Sequence, residues 1–403
     1  MKNCWLTLRS DVFLWLTQDE CLIYNSNNHK KLSFTVNDEI RKICQQLLIP
    51  INLYTVEISE ISLEEKSVRQ WIDCIIDNDA GYLKPCSNTI KPISLKPILK
   101  IQDSINYYTK KYNEELAGEI IHNLYELTFY INGSEYGNNS WYKQTVFPLK
   151  SCQPLDIQKL FGFIQNAKSN FLSNINLSGN IFLYPDYVSL VEEICNSKIR
   201  FTINITIQDF EDNIQRIKEI QWTDNTQFNI LIDSQSDFTL ISLDGLCINM
   251  SVTVLVFTEE NYKSIIDKLD TLPVYRDAQI TPIYNGENFD FFHSNVFISK
   301  SEINEIALSK REVFMRQAIN IYDFGKLTVL SDEQVFANVN MNPLGSINNS
   351  MVSLIYKEFT KGQSWLRIRD QKPCADCIYQ WLCPSPSNYE IAIGKPNLCH
   401  IIE

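Results

Sequence analysis

The chain has 403 residues, more than one hydrophobic core usually serves, so two or three domains are expected. With 44% hydrophobic and 12% aromatic residues it can bury sizeable cores, which excludes a disordered chain. A net charge of −12 argues against nucleic acid or an anionic membrane as a partner, and no apolar run reaches the roughly 20 residues of a bilayer span.

The N-terminus, MKNCWLTLRSDVF, lacks the uninterrupted apolar core of a signal peptide. Strand-like alternation follows at Trp5–Leu8, Val12–Leu16, Cys21–Tyr24 and Leu32–Val36. Asn37 is then placed to cap a helix whose Ile40, Ile43, Cys44, Leu47 and Leu48 recur at helical spacing. Ser67–Asp77 repeats that pattern, with Val68, Trp71, Ile72 and Ile75 on one face. This order reads as a winged-helix-like α+β module. Residues 82–112 carry three prolines and several lysines and read as a linker.

A strand–helix rhythm comes next. Candidate strands are Leu127–Ile131, Ile175–Leu177, Arg200–Ile205, Phe228–Ile232, Val252–Phe257 and Gln279–Ile283. Helical stretches fall around Asp156–Ala167, Asp186–Ile194, Glu211–Glu219 and Glu259–Leu269. Nearly continuous apolar strands joined by helical crossovers imply a parallel sheet, closed or partly closed, though periodicity equally allows a doubly wound one.

Eight cysteines (Cys4, Cys21, Cys44, Cys74, Cys86, Cys152, Cys195 and Cys247) are dispersed, whereas Cys374, Cys377, Cys383 and Cys399 are spaced C-x2-C, x5-C, x15-C. Two thiolates on one tight turn can ligate a single centre, and two more returning from a short excursion close a tetrahedral sulfur cage. Zinc and an iron–sulfur cluster both accept it, and spacing does not separate them. Such a cage favours a reducing cytoplasm.

The C-terminal segment resembles the SPASM extension of radical-SAM peptide maturases, in which the first three cysteines and a distal one hold an auxiliary 4Fe–4S cluster. Cys374, Cys377, Cys383 and Cys399 fall on those places, while Ser387 stands where a cysteine of another auxiliary cluster would be. The stretch after Asp323 resembles the family's hairpin, with Glu333 and Asn338 in place of its glycine and cysteine. In the barrel of that family, C-x3-C-x2-C follows the first strand; the matching Leu127–Trp141 holds no Cys, His or Asp, and the motif occurs nowhere in the chain. After the second strand, Ser178-Gly179-Asn180 stands in the family's SAM-binding turn, with Asn180 in place of the Glu that binds the SAM amino group. An amide cannot carry the charge that pairs with an ammonium.

The N-terminal module is similar to the RiPP recognition element, in which a leader peptide adds as a strand and packs on the last helix. The matching elements are Leu32, Ser33, Phe34 and Thr35, with Trp71 and Ile75 beside them. The resemblance implies a peptide-binding module over residues 1–85, a linker over 86–115, a degenerate partial (β/α)6 barrel over 116–320 and a SPASM-like domain over 321–403. It implies a pseudo-radical-SAM protein of the kind that accompanies a true maturase in Bacteroidales-type peptide-modification systems. Such a protein would bind precursor peptide, the radical-SAM maturase, or both, and would hold one auxiliary-type 4Fe–4S cluster (alternatively zinc) but no SAM. The rival readings are an electron-transfer protein using that cluster and an enzyme with an unrecognised site.

Overall fold

The structure, a computed structural model, describes residues 3–87, 90–99, 104–111, 116–169, 171–235, 248–269 and 277–401. Cys247 and part of the expected linker lie outside the described residues.

The N-terminal part comprises strands β1 (Cys4–Leu8), β2 (Val12–Leu16), β3 (Glu20–Asn25) and β4 (Lys31–Thr35), helix α1 (Asp38–Leu48), β5 (Thr55–Ile58), α2 (Glu60–Glu64), α3 (Lys66–Asp77) and β6 (Gly81–Pro85). They form two antiparallel three-stranded sheets, β5-β1-β6 and β2-β3-β4. Helix α1 begins where the sequence places it, because Asn37 Oδ1 accepts the Ile40 N–H at 2.8 Å and satisfies one of the four donors a helix start leaves open. Period-2 alternation gives β3 two faces. Cys21 and Ile23 join Ile40, Ile43, Cys44, Val68, Trp71, Ile72 and Ile75 in one core. Leu22 and Tyr24 point the opposite way.

Residues 90–99 carry neither helix nor strand, but the region expected to be linker ends in helix α4 (Ser104–Lys111). After α5 (Leu116–Ile121) come β7 (Glu126–Tyr130), α6 (Ile157–Ala167), β8 (Asn174–Ser178), α7 (Tyr187–Asn196), β9 (Arg200–Thr206), α8 (Ile207–Asp212), α9 (Ile214–Glu219), β10 (Thr226–Asp233), β11 (Asn249–Val256), α10 (Glu259–Leu269) and β12 (Gln279–Pro282). The expected helix around Glu211–Glu219 is thus two short helices. Thr206 Oγ1 accepts the Asp209 N–H and starts the first early, and Asn213, whose side-chain amide donates to the Asp209 carbonyl at 2.8 Å, stands at the break.

The chain then runs through α11 (Phe289–Asn295), α12 (Lys300–Glu305), α13 (Lys310–Ala318), β13 (Lys326–Val329), β14 (Gln334–Phe336), β15 (Gly345–Ser346), α14 (Met351–Lys361) and α15 (Asn388–Ile393). Among the described residues one mixed, mostly parallel sheet has the open order β12-β11-β10-β9-β8-β7-β13-β14-β15. Strand β13 pairs in parallel with β7, so the segment after residue 320 continues the same sheet.

Register explains the burial. Leu127, Ile175, Phe201 and Thr226 lie in one row, as do Phe129, Leu177, Ile203 and Phe228, and their large apolar side chains face the main core with α6, α7 and α14. Full burial of such a side chain contributes roughly 2 kcal/mol. The opposite face carries Asn174, Asn176, Thr202, Asn229 and Ser251, which bond to one another, as in Thr202 Oγ1 to Asn174 Oδ1 at 3.1 Å and Ser251 Oγ to Asn229 Oδ1 at 3.2 Å. No described helix is long and apolar enough to cross a membrane.

Candidate functional site

Parallel sheets present ligand sites at the carboxyl ends of their strands. Here those ends of β7, β8 and β9 are knotted together by side chains. Asp209, at 3% exposure, accepts from Ser134 Oγ, from Asn180 Nδ2 at 2.7 Å and from Thr206 Oγ1 at 2.8 Å. Asn132 Nδ2 donates to the Asn180 carbonyl at 2.8 Å. Gly179 holds φ +135°, and a Cβ there would lie 2.6 Å from the Asn132 carbonyl oxygen, with the Asn132 amide closer still. The Ser178-Gly179-Asn180 turn therefore packs directly under the side chain of Asn132. Asn180 spends its amide on Asp209 and its Oδ1 on the Phe182 N–H. Burial pushes the Asp209 carboxyl above the usual range against the pull of its three donors.

The loop after β7 closes on itself through Ser134 N–H to the Leu149 carbonyl (2.8 Å) and Asn138 N–H to the Pro148 carbonyl (2.9 Å). Trp141 packs against Phe147 and Phe257 at its tip. These residues do not fit a SAM-binding iron–sulfur centre: between β7 and α6 the chain offers one thiol, Cys152, where three are needed, and Asn132 packs against the Gly179 turn.

A second knot occupies the positions of Asn338 and Ser387. Asn338 Nδ2 donates to both Asp323 oxygens (3.1 and 3.0 Å) and to Asn388 Oδ1 (2.7 Å), and Arg367 lies 3.4 Å from Asp323. Ser387 caps α15, its hydroxyl accepting from the Tyr389 N–H at 3.2 Å while its own N–H donates to Glu390 at 2.8 Å. Glu333 holds φ +68°, the left-handed region that suits glycine, and its carboxylate meets Lys159 at 2.6 Å.

The four C-terminal cysteines lie within electrostatic reach of one another. Burial first, and then the neighbouring Cys377, Cys399 and Cys374, push the Cys383 thiol up to about 12, with Arg369 opposing. Burial likewise raises Cys377, and Cys374 and Cys399 add to it. Two sulfurs receive side-chain donors, Arg369 Nη1 to Cys374 at 3.6 Å and Asn397 Nδ2 to Cys399 at 3.2 Å. Arg369 is itself fixed by Glu390 at 2.8 Å. Among the described residues, no three His, Cys, Asp or Glu side chains converge on a single metal-ion position. Thiols that repel each other's ionisation and receive N–H donors are a donor set that fits a cationic centre.

Strand β4 is an edge. Val36 N–H donates to Asp19 and Asn25 N–H to the Lys30 carbonyl, which with the Cys21–Phe34 and Ile23–Leu32 pairing turns the even-numbered backbone groups toward β3. Antiparallel geometry then directs the N–H and C=O groups of Lys31, Ser33 and Thr35 outward. Beside them lies a groove of about 540 Å³, lined by Phe34, Thr35, Ile40, Trp71, Asp73 and Asp77 among others. Leu32 and Phe34 pack toward the core. Trp71 touches the groove although it is only 1% exposed, and Ile75 lies wholly inside the core, away from the groove lining. The helix face chosen from the sequence is thus the core-facing one, and the groove-facing residues are its flank.

Asp209, Ser134, Asn132, Asp323 and Arg367 have no motif that marks them in the sequence. A local signal exists only for Thr206-x-x-Asp209, a helix-start pattern after a strand.

No protein-family model matches the chain, and no curated protein matches it. Among solved structures it is similar to Streptococcus suis SuiB bound to precursor peptide SuiA, at 13% identity over 98% of this chain and 99% of that chain, with a TM-score of 0.45. It is also similar to Streptococcus suis SuiB bound to S-adenosylmethionine, at 13% identity over 97% of both chains and a TM-score of 0.41.

Proposed function

We propose that this chain is a non-catalytic, pseudo-radical-SAM partner in ribosomal peptide maturation. In this reading the module over residues 1–85 captures a precursor peptide by strand addition, and the chain docks with a true radical-SAM maturase. The observation that carries the capture is the outward-facing edge of β4 beside a groove on α3. The knot at Asp209 supports the non-catalytic part, because the strand ends are held shut by bonds among the chain's own side chains. Cys374, Cys377, Cys383 and Cys399 would hold one 4Fe–4S cluster. Zinc, which the same four thiolates could also hold, is the alternative, and acid-labile sulfide in the purified protein separates the two.

The test uses the full chain and the precursor peptide encoded beside it. Fluorescence anisotropy should report binding that Ser33→Pro abolishes with the thermal unfolding midpoint unchanged; a full chain that ignores the peptide at high micromolar concentration refutes capture. Incubation with dithionite and SAM should give no 5′-deoxyadenosine above a protein-free control, and clear product would show that the chain is an enzyme.

A further inference from the structure

We propose that the groove between β4 and α3 selects a cationic strand, in which a Lys or Arg set against Asp73 and Asp77 alternates with apolar residues packed on Phe34, Ile40 and Trp71. This rests on the peptide-capture reading and names the class of peptide.

The geometry sets the alternation. A strand added to β4 bonds to the backbone of Lys31, Ser33 and Thr35, the outward-facing residues. Its side chains project alternately to the two faces of the sheet. Leu32 and Phe34 lie on the helix side, so every second residue of the added strand falls into the α3 groove and the intervening ones share the face of the exposed Ser33 and Thr35. Only the groove-facing set is read by side chains.

The groove's chemistry sets the charge. Ser67, Gln70, Trp71 and Cys74 recur at helical spacing along its α3 wall, and Asp73 and Asp77, one turn apart, add the charge. No lysine or arginine lines it. Arg69 lies 3.1 Å from Asp73 and offsets part of that charge. Phe34, Ile40 and Trp71 form an apolar floor beside the carboxylates. An acidic side chain placed there would sit against two like charges, whereas an ammonium or guanidinium would bridge them with its alkyl stem over the floor.

The experiment uses the full chain and three fluorescein-labelled extended peptides. All carry threonine at one parity. At the other, one alternates valine with lysine, one valine with glutamate, and one is valine throughout. The lysine peptide is expected to bind about tenfold tighter than the glutamate peptide, since exposed charge pairs act on both sides of the comparison, and the gap should narrow in high salt. Asp73→Asn combined with Asp77→Asn, both at exposed or half-exposed positions, should erase the preference while the valine peptide binds as before. Equal affinities, a glutamate preference, no binding of the lysine peptide, or a preference that survives the double substitution would each overturn the proposal. Ser33→Pro, with Thr35→Pro as a second variant and circular dichroism on both, should abolish binding of all three peptides. Peptides that bind folded Ser33→Pro and Thr35→Pro unchanged would defeat strand capture itself. That outcome is distinct from lost charge preference with strand capture intact.

Discussion

Two kinds of side-chain cluster in the molecule differ in how their polar groups are partnered. At the strand ends around Asp209, and again around Asp323, amides, hydroxyls and carboxylates bond to one another, although Asn132 Oδ1, Ser178 Oγ and Arg367 Nε stay buried without a hydrogen-bond partner. In the Cys374–Cys399 segment the four thiols remain, and each raised pKa there comes from burial and from neighbouring thiols. The first kind of cluster is held by bonds within the chain. The second is a set of half-buried thiols, weak hydrogen-bonding groups that would gain most from a cation.

The largest expected effect that would break this comparison lies in the cysteine segment. Cys377→Ser should lose bound metal and acid-labile sulfide and destabilise the C-terminal segment, whereas Cys152→Ser should leave metal content unchanged; a well-folded, metal-free wild-type protein would overturn the contrast. Apparent binding energies of structural zinc in small peptides, about 10–16 kcal/mol, indicate the scale for a closed cage. Next comes Asp209→Ala, which strands the Ser134, Thr206 and Asn180 donors in the interior and should cost about 3 kcal/mol in chemical denaturation. A loss below about 0.5 kcal/mol would mean that water already serves these donors.

Legibility followed the same division. All six expected barrel strands, and the four before α1, appear within a few residues of their expected bounds, because alternation and apolar runs are local patterns. The spacing of the four cysteines is visible in the sequence, but among the described residues no three ligating side chains meet at one ion position. The knots were not legible, since Asn132, Asn180 and Asp209 come from three separate strand ends and only the fold brings them within 3 Å. Ile75 was misplaced for a related reason: helical periodicity finds the apolar face of α3, and that face is the core.

A smaller effect sharpens the comparison through pH. Burial raises the carboxyls of Asp209, Asp323 and Glu358, so the folded chain keeps these protons to higher pH than the unfolded chain does. Their contribution is fully present below the unfolded values near 4 and is lost as pH rises through the raised folded values. Thermal unfolding should therefore show stability falling across that window, and Asp209→Asn should flatten the slope. The smallest effect is at α15, where Ser387→Ala removes the capping hydroxyl and should cost about 1 kcal/mol without altering metal content.

Phe13, Leu22 and Tyr24, on the outer face of the β2–β3–β4 sheet, share a core with Ile303, Leu308, Val313, Ile378, Tyr379 and Leu382. Tyr24 ties into it twice, its hydroxyl donating to the Leu308 carbonyl at 2.5 Å and accepting from the Leu308 N–H at 2.6 Å. The consequence is one of divisibility. A fragment cut after residue 87 would carry the edge strand and its groove but would lay bare an aromatic face, with Trp15 stacked on Phe13 at 5.4 Å, on the same sheet as that edge. Such a fragment would pair with copies of itself. The edge strand thus depends on the whole chain, and whatever loosens the cysteine segment will also loosen the sheet to which that edge belongs.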